Sequence, residues 1–144
     1  SSSRLVAEVH GTVRTTSCLE CGRNWPTPEV IARLDHAPDP HCTHCGGLLK
    51  ADVVYFGEQL PAVAFTRAMR AAENCDTFLA IGTTLTVQPV ASLAQLAVES
   101  GARLVVVNRE PTAYDTIASQ VIGGDIQASV PELVSELIEA YPAA

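Results

Sequence analysis

Two segments in the second half of the chain are apolar at every position. Residues 78–81 read Phe-Leu-Ala-Ile, and residues 104–107 read Leu-Val-Val-Val. Continuous apolar runs of this length are typical of strands that are covered on both faces, as in parallel sheets. A shorter run at residues 121–122 predicts a third, weaker strand, and residues 51–56 predict a strand that ends at Gly57.

Apolar residues at helical spacing lie between these strands. After Pro61, residues 65, 68, 69 and 72 fall on one helical face, and from Gln88 onward residues 90, 93, 94 and 97 do the same. The second of these helices is predicted to end at Gly101. Ser129 and Glu132 form a capping box that predicts a last helix, which ends at residues 141–142. Strands that alternate with helices predict an α/β fold, in which helices flank a parallel sheet.

The first third of the chain has a different composition. Residues 5–17 contain strand-forming residues around a break at residues 10–11, and residues 18–50 are poor in large apolar side chains. Within the latter segment Thr27 is the predicted N-cap of a short helix, and Pro28 is its predicted first residue. We therefore predict a Rossmann-like α/β domain of residues 1–17 and 51–144, and a small module of residues 18–50.

Two Cys-x-x-Cys pairs lie in this small module, Cys18 with Cys21 and Cys42 with Cys45. Two pairs about twenty residues apart have the spacing of a four-thiolate zinc site, in which each pair turns two sulfurs toward one point. The alternatives are two disulfides or four unrelated buried thiols. Because the module has few large apolar residues, a bound metal would have to hold it together.

Composition and charge argue against several classes of protein. Hydrophobic residues make up 47% of the chain and charged residues 17%, which is enough to bury a sizeable core. The net charge of −7 argues against general nucleic-acid binding, because that relies on basic patches. No apolar run approaches the roughly 20 residues of a membrane span, so we expect no membrane partner. Unbridged Cys-x-x-Cys pairs suit a reducing compartment, which predicts a cytoplasmic location.

Glycines and polar residues follow the ends of three predicted parallel strands. They are Gly82, Thr83 and Thr84, then Asn108, Arg109 and Glu110, then Gly123, Gly124 and Asp125. Ligands of open parallel sheets bind beyond the carboxyl ends of the strands, where glycine permits close approach and polar side chains bond ribose or phosphate. The coincidence of three such ends indicates a nucleotide crevice, whereas tight turns alone are the alternative for Gly82 and Gly123. The sequence contains neither a G-x-G-x-x-G motif nor a P-loop.

Taken together, these features resemble the sirtuins, the NAD-dependent protein deacylases, over nearly the whole chain. The resemblance depends on ordered motifs, namely residues 8–11 (Glu-Val-His-Gly), the two cysteine pairs, residues 53–58 (Val-Val-Tyr-Phe-Gly-Glu), residues 82–89 (Gly-Thr-Thr-Leu-Thr-Val-Gln-Pro) and residues 108–112 (Asn-Arg-Glu-Pro-Thr). Each motif alone is weak, but their order and spacing together are highly specific.

The resemblance implies a chemical role for the matching residues. His10 matches the family's catalytic histidine, which acts as general base on a hydroxyl of the nicotinamide ribose. The acyl group of acyl-lysine would pass to ADP-ribose with release of nicotinamide. The four cysteines match the structural zinc ligands, which take no part in this chemistry, and His41 and His44 are expected to flank the metal site.

The resemblance also implies binding sites for the peptide and for NAD. Val54, Phe56, Gly57 and Glu58 match the edge that receives the acyl-lysine peptide as an added strand, and Val87 would line the other side of that slot. Core packing is the alternative for Val54 and Phe56. Near the adenosine ribose and phosphate, the matching residues are Gly82, Thr83 and Thr84. Around the adenine ribose they are Asn108, Arg109 and Glu110, and against the adenine ring they are Asp125 and Ile126.

Part of the family's sequence pattern is not found in the 144 residues. Before the position of Leu5, family members carry a glycine-rich phosphate loop, an acyl-pocket segment and a Gln-Asn-Ile-Asp-type motif. We therefore expect the chain to be the carboxyl-terminal portion of a sirtuin, inactive alone, with two partners: an acyl-lysine peptide and the missing amino-terminal half. The alternatives are a non-catalytic zinc-containing nucleotide-binding or sensor module, and a redox protein that uses its Cys-x-x-Cys pairs.

Overall fold

The computed structural model describes residues 5–140. In chain order its elements are β1 (Gly11–Cys18), β2 (Asn24–Pro26), α1 (Thr27–Ile31), a 3₁₀ helix (Ala32–Asp35), β3 (Leu49–Val53), α2 (Ala62–Asn74), β4 (Thr77–Ile81), α3 (Ser92–Glu99), β5 (Arg103–Val107), β6 (Gln120–Ile122) and α4 (Ile126–Ala140). Contacts between residues divide the chain into two units, with the boundary between Phe65 and Thr66. The two-domain division predicted from the sequence stays a prediction.

An antiparallel sheet in the order β2-β1-β3 is the framework of the first unit. In β1, Thr16 pairs with Trp25 of β2 on one side and with Ala51 of β3 on the other. The register with β3 shifts between Gly11 and Thr16. Gly11 has φ +74° and approaches β3 so closely that a Cβ atom there would lie 1.9 Å from the carbonyl oxygen of Asp52. Only glycine fits where β1 begins.

The predicted start of the short helix in this unit is wrong by one residue. Pro26 is the N-cap of α1, and Thr27 is its first helical residue. The hydroxyls of Thr27 and Thr16 instead form a hydrogen bond of 2.8 Å, which ties α1 to β1. A tertiary contact has therefore replaced the local cap that the sequence suggested.

The strand predicted at residues 51–56 is β3, but its bounds are shifted. It begins at Leu49 and ends at Val53. The N–H of Glu58 donates to the carbonyl oxygen of Tyr55 at 3.0 Å, which makes a turn where the prediction continued the strand. The chain therefore leaves the sheet before Tyr55 and Phe56, whose high strand propensity favoured the longer strand in the prediction.

A parallel sheet in the order β4-β5-β6 organises the second unit and confirms the predicted α/β fold. The side chains of β5 alternate between two faces, and all are buried from Leu104 to Val107. Leu104 and Val106 belong to an apolar cluster with residues of α3, and Val105 and Val107 pack with Leu133 of α4. The continuous apolar run at residues 104–107 thus reflects helices on both faces of the strand.

The helices of this unit differ from the predictions mainly at their starts. Residues 88–91 form turns, and regular α3 begins at Ser92. It ends at Glu99, two residues before the predicted end at Gly101, and Gly101 has a φ of +98° just after the helix. Helix α4 begins at Ile126, ahead of the predicted capping box, because the carboxylate of Asp125 accepts the N–H of Gln127 at 3.0 Å. The predicted end of α4 at residues 141–142 lies outside the described residues.

Among the residues that the structure describes, none of the helices combines the length and the apolar character needed to cross a membrane.

Candidate functional site

Four cysteines converge at one point in the first unit. The Sγ atoms of Cys18, Cys21, Cys42 and Cys45 all lie within 4.8 Å of one another. The Cys18–Cys45 pair is 3.5 Å apart and the Cys21–Cys42 pair 3.6 Å. Four sulfurs about 2.3 Å from a tetrahedral Zn²⁺ are about 3.8 Å apart, so the residues present fit this metal. All four thiols are free, which confirms the predicted four-cysteine cluster over two disulfides.

Two matching turns present these sulfurs. The N–H of Gly22 donates to the carbonyl of Cys18 at 3.0 Å, and that of Gly46 donates to the carbonyl of Cys42 at 2.9 Å. Both glycines have positive φ, which a side chain would resist. Gly47 allows the turns to meet, because a Cβ atom there would lie 2.9 Å from the Cys18 sulfur. The spacing of the Cys-x-x-Cys-Gly segments therefore follows from their backbone geometry.

The electrostatics of the cluster favour a cation at its centre. Burial opposes ionisation of Cys42, but N–H groups of Cys45 and His44 that point at its sulfur lower the pKa of this thiol to about 6. The Gly47 N–H favours the Cys45 thiolate, yet the neighbouring sulfurs of Cys21 and Cys18 outweigh it and raise the Cys45 pKa to about 12. Four thiolates at this distance repel one another, and a divalent metal removes that repulsion.

His41 lies beside the cluster, as the sequence predicted, and its ring is engaged elsewhere. Its Nδ1 is 2.9 Å from the carbonyl oxygen of Gly46, and its Nε2 is 3.3 Å from a carboxylate oxygen of Asp39. His41 thus braces the second cysteine turn through the backbone. Four sulfurs already complete a tetrahedron without it.

The predicted general base, His10, is exposed in the turn that precedes β1. Its carbonyl oxygen accepts the N–H of Val54 at 2.9 Å, directly beyond the end of β3. The structure therefore brings His10 next to the segment that the sequence predicted as the peptide-binding edge. Gly11 makes this approach possible, since its missing side chain lets the start of β1 lie against β3.

The candidate peptide-binding residues of the first unit form the turn after β3. Val54 is half-buried, whereas the side chain of Phe56 is 96% exposed. Phe56 therefore has no part in the core of the described residues. Gly57 is exposed with φ +89°. The carboxylate of Glu58 turns back and accepts the N–H of Tyr55 at 2.9 Å.

Two charged residues that support this segment were missed by the sequence analysis. Lys50 and Asp52 lie two positions apart in β3, so their side chains share one face of the sheet. Burial alone would raise the pKa of Asp52, but hydrogen bonds from Thr15, Ser17 and Asn24 outweigh it and lower that pKa. Asn24 donates to the Asp52 carboxylate at 2.7 Å. The alternation of charged and apolar residues along β3 is the sequence feature that could have identified Lys50 and Asp52.

The carboxyl ends of the parallel strands bring the predicted nucleotide-binding residues of the second unit together. Ile81, Val107 and Ile122 lie level in the sheet, so the residues that follow them share one edge. The N–H of Gly82 donates to the carbonyl of Val107 at 2.9 Å. A Cβ atom at Gly82, which has φ +60°, would lie 3.4 Å from Cδ1 of Ile126. The loop after β4 thus contacts the start of α4.

Several polar groups at this edge bond one another. The hydroxyl of Thr83 accepts the N–H of Leu85 at 3.2 Å, and the hydroxyl of Thr84 bonds that of Thr86 at 2.8 Å. The amide of Asn108 donates to the carbonyl of Glu110 at 2.7 Å. Arg109, Glu110 and Asp125 are exposed, as is Val87 at 47%. Donors, acceptors and a glycine backbone beyond the strand ends have the chemistry that a ribose and a phosphate require.

The chain belongs to the Sir2 family, whose model matches residues 1–89. Among curated relatives, NAD-dependent protein deacetylase 2 of Streptomyces coelicolor is 47% identical over 137 residues, which are 94% of this chain and 57% of the relative. NAD-dependent protein deacetylase 1 of Pyrobaculum aerophilum is 37% identical over 95% of this chain and 54% of its own length. The chain therefore spans about half the length of the curated relatives it matches.

Solved structures agree with this membership. The structure of Sir2Tm bound to a propionylated peptide has a TM-score of 0.86 and 32% identity, and the match covers 96% of this chain and 57% of that one. A Sir2 complex with a p53 peptide and NAD⁺ has the same TM-score and identity, with 96% and 56% covered. The resemblance to the sirtuins that the motifs indicated is confirmed.

Proposed function

We propose that this chain is part of an NAD-dependent protein lysine deacylase, and that it supplies the general base, the zinc module and one side of the NAD site. Membership of the Sir2 family supports the reaction class, since curated relatives are named NAD-dependent protein deacetylases. Complexes of similar Sir2 proteins with acylated peptides support the substrate class.

One contact carries the proposal furthest. The backbone of His10 is bonded to Val54, at the start of an exposed segment that ends in Gly57 and Glu58. A peptide that adds to this segment as a strand would have its backbone satisfied there, with little dependence on sequence. The general base would then lie beside the substrate without any further element to position it.

His10 has one chemical task in this scheme. A neutral imidazole nitrogen accepts the proton of a ribose hydroxyl, and that hydroxyl then captures the acyl carbon. NAD, when bound, supplies the ribose that receives the acyl group and releases nicotinamide. The residues of this chain that would hold the nucleotide lie beyond the ends of the parallel strands: Gly82, Thr83, Thr84, Asn108, Arg109, Glu110, Asp125 and Ile126. The zinc held by the four cysteines would stabilise the fold of the first unit.

The proposal extends to partners and location. A portion that matches the amino-terminal half of the relatives would complete the NAD site, since this chain spans 57% of the first relative. The net charge of −7 supports a protein that binds neither nucleic acid nor an anionic membrane surface. Four free thiols poised for a metal support a reducing compartment, which is the cytoplasm in this proposal.

The test is a deacylation assay on the full-length protein. The purified protein is incubated with an acetyl-lysine peptide, with and without NAD, and the peptide mass is followed by mass spectrometry. We expect loss of the acetyl group only with NAD, and no loss with the His10→Ala variant. NAD binding without turnover in the unsubstituted protein would refute the deacylase and favour the non-catalytic nucleotide sensor.

A further inference from the structure

Lys50 is the one lysine in the printed sequence, and its ammonium group contacts three parts of the segment that follows β3. Its Nζ donates to the carbonyl oxygen of Val53 at 2.7 Å and to a carboxylate oxygen of Glu58 at 2.9 Å. It also lies 4.5 Å from the centre of the Tyr55 ring. The side chain is only 22% exposed, so these contacts are partly shielded from water.

The contacts of Lys50 close a ring around the turn. The Glu58 carboxylate that Lys50 binds also accepts the N–H of Tyr55 at 2.9 Å. The Glu58 N–H returns to the carbonyl of Tyr55 at 3.0 Å. One cation therefore fixes the end of β3, the Tyr55 ring and the far side of the turn at once, by charge-assisted hydrogen bonds and a cation–π contact.

The turn would lose its main internal tie without this charge. Gly57 has a positive φ, and among residues 5–140 the side chain of Phe56 is 96% exposed, so Phe56 does not hold the segment by packing. The hydrogen bonds of Glu58 would persist only if its carboxylate stayed turned inward. The free energy of local unfolding is small for a loop that is held by few apolar contacts.

We propose that Lys50 is a positioning residue for the peptide substrate, because it holds the turn of residues 53–58 in place beside His10, at the edge that an added peptide strand pairs with. The inference rests on the proposed function and names a residue that acts through Glu58 and Tyr55 rather than by touching the peptide. The binding of a strand to a pre-formed edge avoids the cost of ordering that edge. Lys50 would therefore affect peptide affinity and leave the chemical step unchanged.

The experiment compares Lys50→Met, which keeps the length of the side chain, with Lys50→Arg, which keeps its charge. In the full-length protein, we expect Lys50→Met to raise the KM for an acetyl-lysine peptide about tenfold, with kcat and the KM for NAD within about twofold. Lys50→Arg should restore the peptide KM, because a guanidinium can bond both the carbonyl and the carboxylate. Arg14→Met, which removes a charge from exposed Arg14 in the same sheet, should leave all three constants unchanged.

A second readout is independent of activity. The Tyr55 N–H is bonded to Glu58, so its hydrogen exchange should become about tenfold faster in Lys50→Met and return to the original rate in Lys50→Arg. Unchanged Tyr55 exchange, or equal losses in kcat and both KM values, would overturn the role of Lys50 while the proposed function stands. Absence of deacylation by the unsubstituted protein would overturn the proposed function, and the peptide role of Lys50 with it.

Discussion

Replacement of Gly11 by alanine should separate β1 from β3 at the point that holds His10. A Cβ atom at this position would lie 1.9 Å from the carbonyl oxygen of Asp52 and 3.2 Å from Cα of Val53. Both of these are backbone atoms, so no flexible side chain can yield. The strands would have to move apart by more than an ångström to reach ordinary contact distances.

The expected cost has two parts. The backbone has φ +74° at Gly11, and a residue with a Cβ atom loses about 1 kcal/mol in this region. Separation of the strands weakens backbone hydrogen bonds at the start of β1, each worth about 1 kcal/mol net, and disturbs packing below them. We expect a total loss of about 3 to 4 kcal/mol in the free energy of unfolding.

Gly22→Ala is the matched control, because Gly22 has φ +69° in the same unit and a Cβ atom there would have nothing within 4 Å. Gly22→Ala should lower the free energy of unfolding only by the cost of the positive φ, about 1 kcal/mol. Urea unfolding followed by the fluorescence of Trp25, the one tryptophan of the sequence, reports on β2 of this unit. With m near 2 kcal/mol/M, the two midpoints should differ by about 1 M or more. Equal midpoints would refute the close approach at Gly11.

Three further predictions concern the metal, the sheet and the base. Cys42→Ser should release zinc and abolish the cooperative Trp25 transition, since metal binding and folding are coupled, whereas Cys75→Ser, outside the cluster, should do neither. Elemental analysis that finds one zinc per chain in Cys42→Ser would contradict this. Asp52→Asn should cost about 1 kcal/mol at neutral pH, because it removes the charged acceptor of the hydrogen bonds from Asn24 and Thr15. In the folded state these bonds outweigh burial and lower the Asp52 pKa below its ordinary value of 3.8. That stabilisation is present above the ordinary pKa and is lost as the pH falls through the lowered pKa. The free energies of unfolding of Asp52→Asn and of the unsubstituted protein, measured by urea titration, should therefore converge at strongly acidic pH. His10→Ala should lower kcat by about 10² to 10⁴ while peptide affinity, measured by fluorescence anisotropy, stays unchanged; equal loss of both would make His10 a binding residue.

The parts of the fold that the sequence predicted well have strong local signals. β5 was predicted correctly because helices cover both its faces, which forces every position from Leu104 to Val107 to be apolar. The cysteine cluster was predicted because each Cys-x-x-Cys turn is formed within four consecutive residues, so its pattern is visible in the sequence. The edge after the parallel strands followed from topology, since all carboxyl ends of parallel strands lie together.

The parts that were missed depend on contacts between distant residues. β2 is only Asn24–Pro26, with no alternation to recognise, and it is a strand because β1 pairs with it. The strand at residues 51–56 was extended too far because strand propensity at Tyr55 and Phe56 carries no information about the Lys50–Glu58 pair that turns the chain. The start of α4 was also predicted wrongly, because the carboxylate of Asp125 caps the helix instead of the hydroxyl of Ser129. Ser129 lies within the helix, where its hydroxyl donates to the carbonyl oxygen of Asp125.

The most direct test of the whole account is the stoichiometry of the reaction in the full-length protein. Deacetylated peptide and free nicotinamide are quantified from the same samples by mass spectrometry over a time course with NAD in excess. A deacylase that moves the acyl group to ADP-ribose predicts one nicotinamide for each acetyl group removed, with O-acetyl-ADP-ribose as the third product. Deacetylation that proceeds without NAD, or NAD cleavage that is independent of the acetylated peptide, would contradict it.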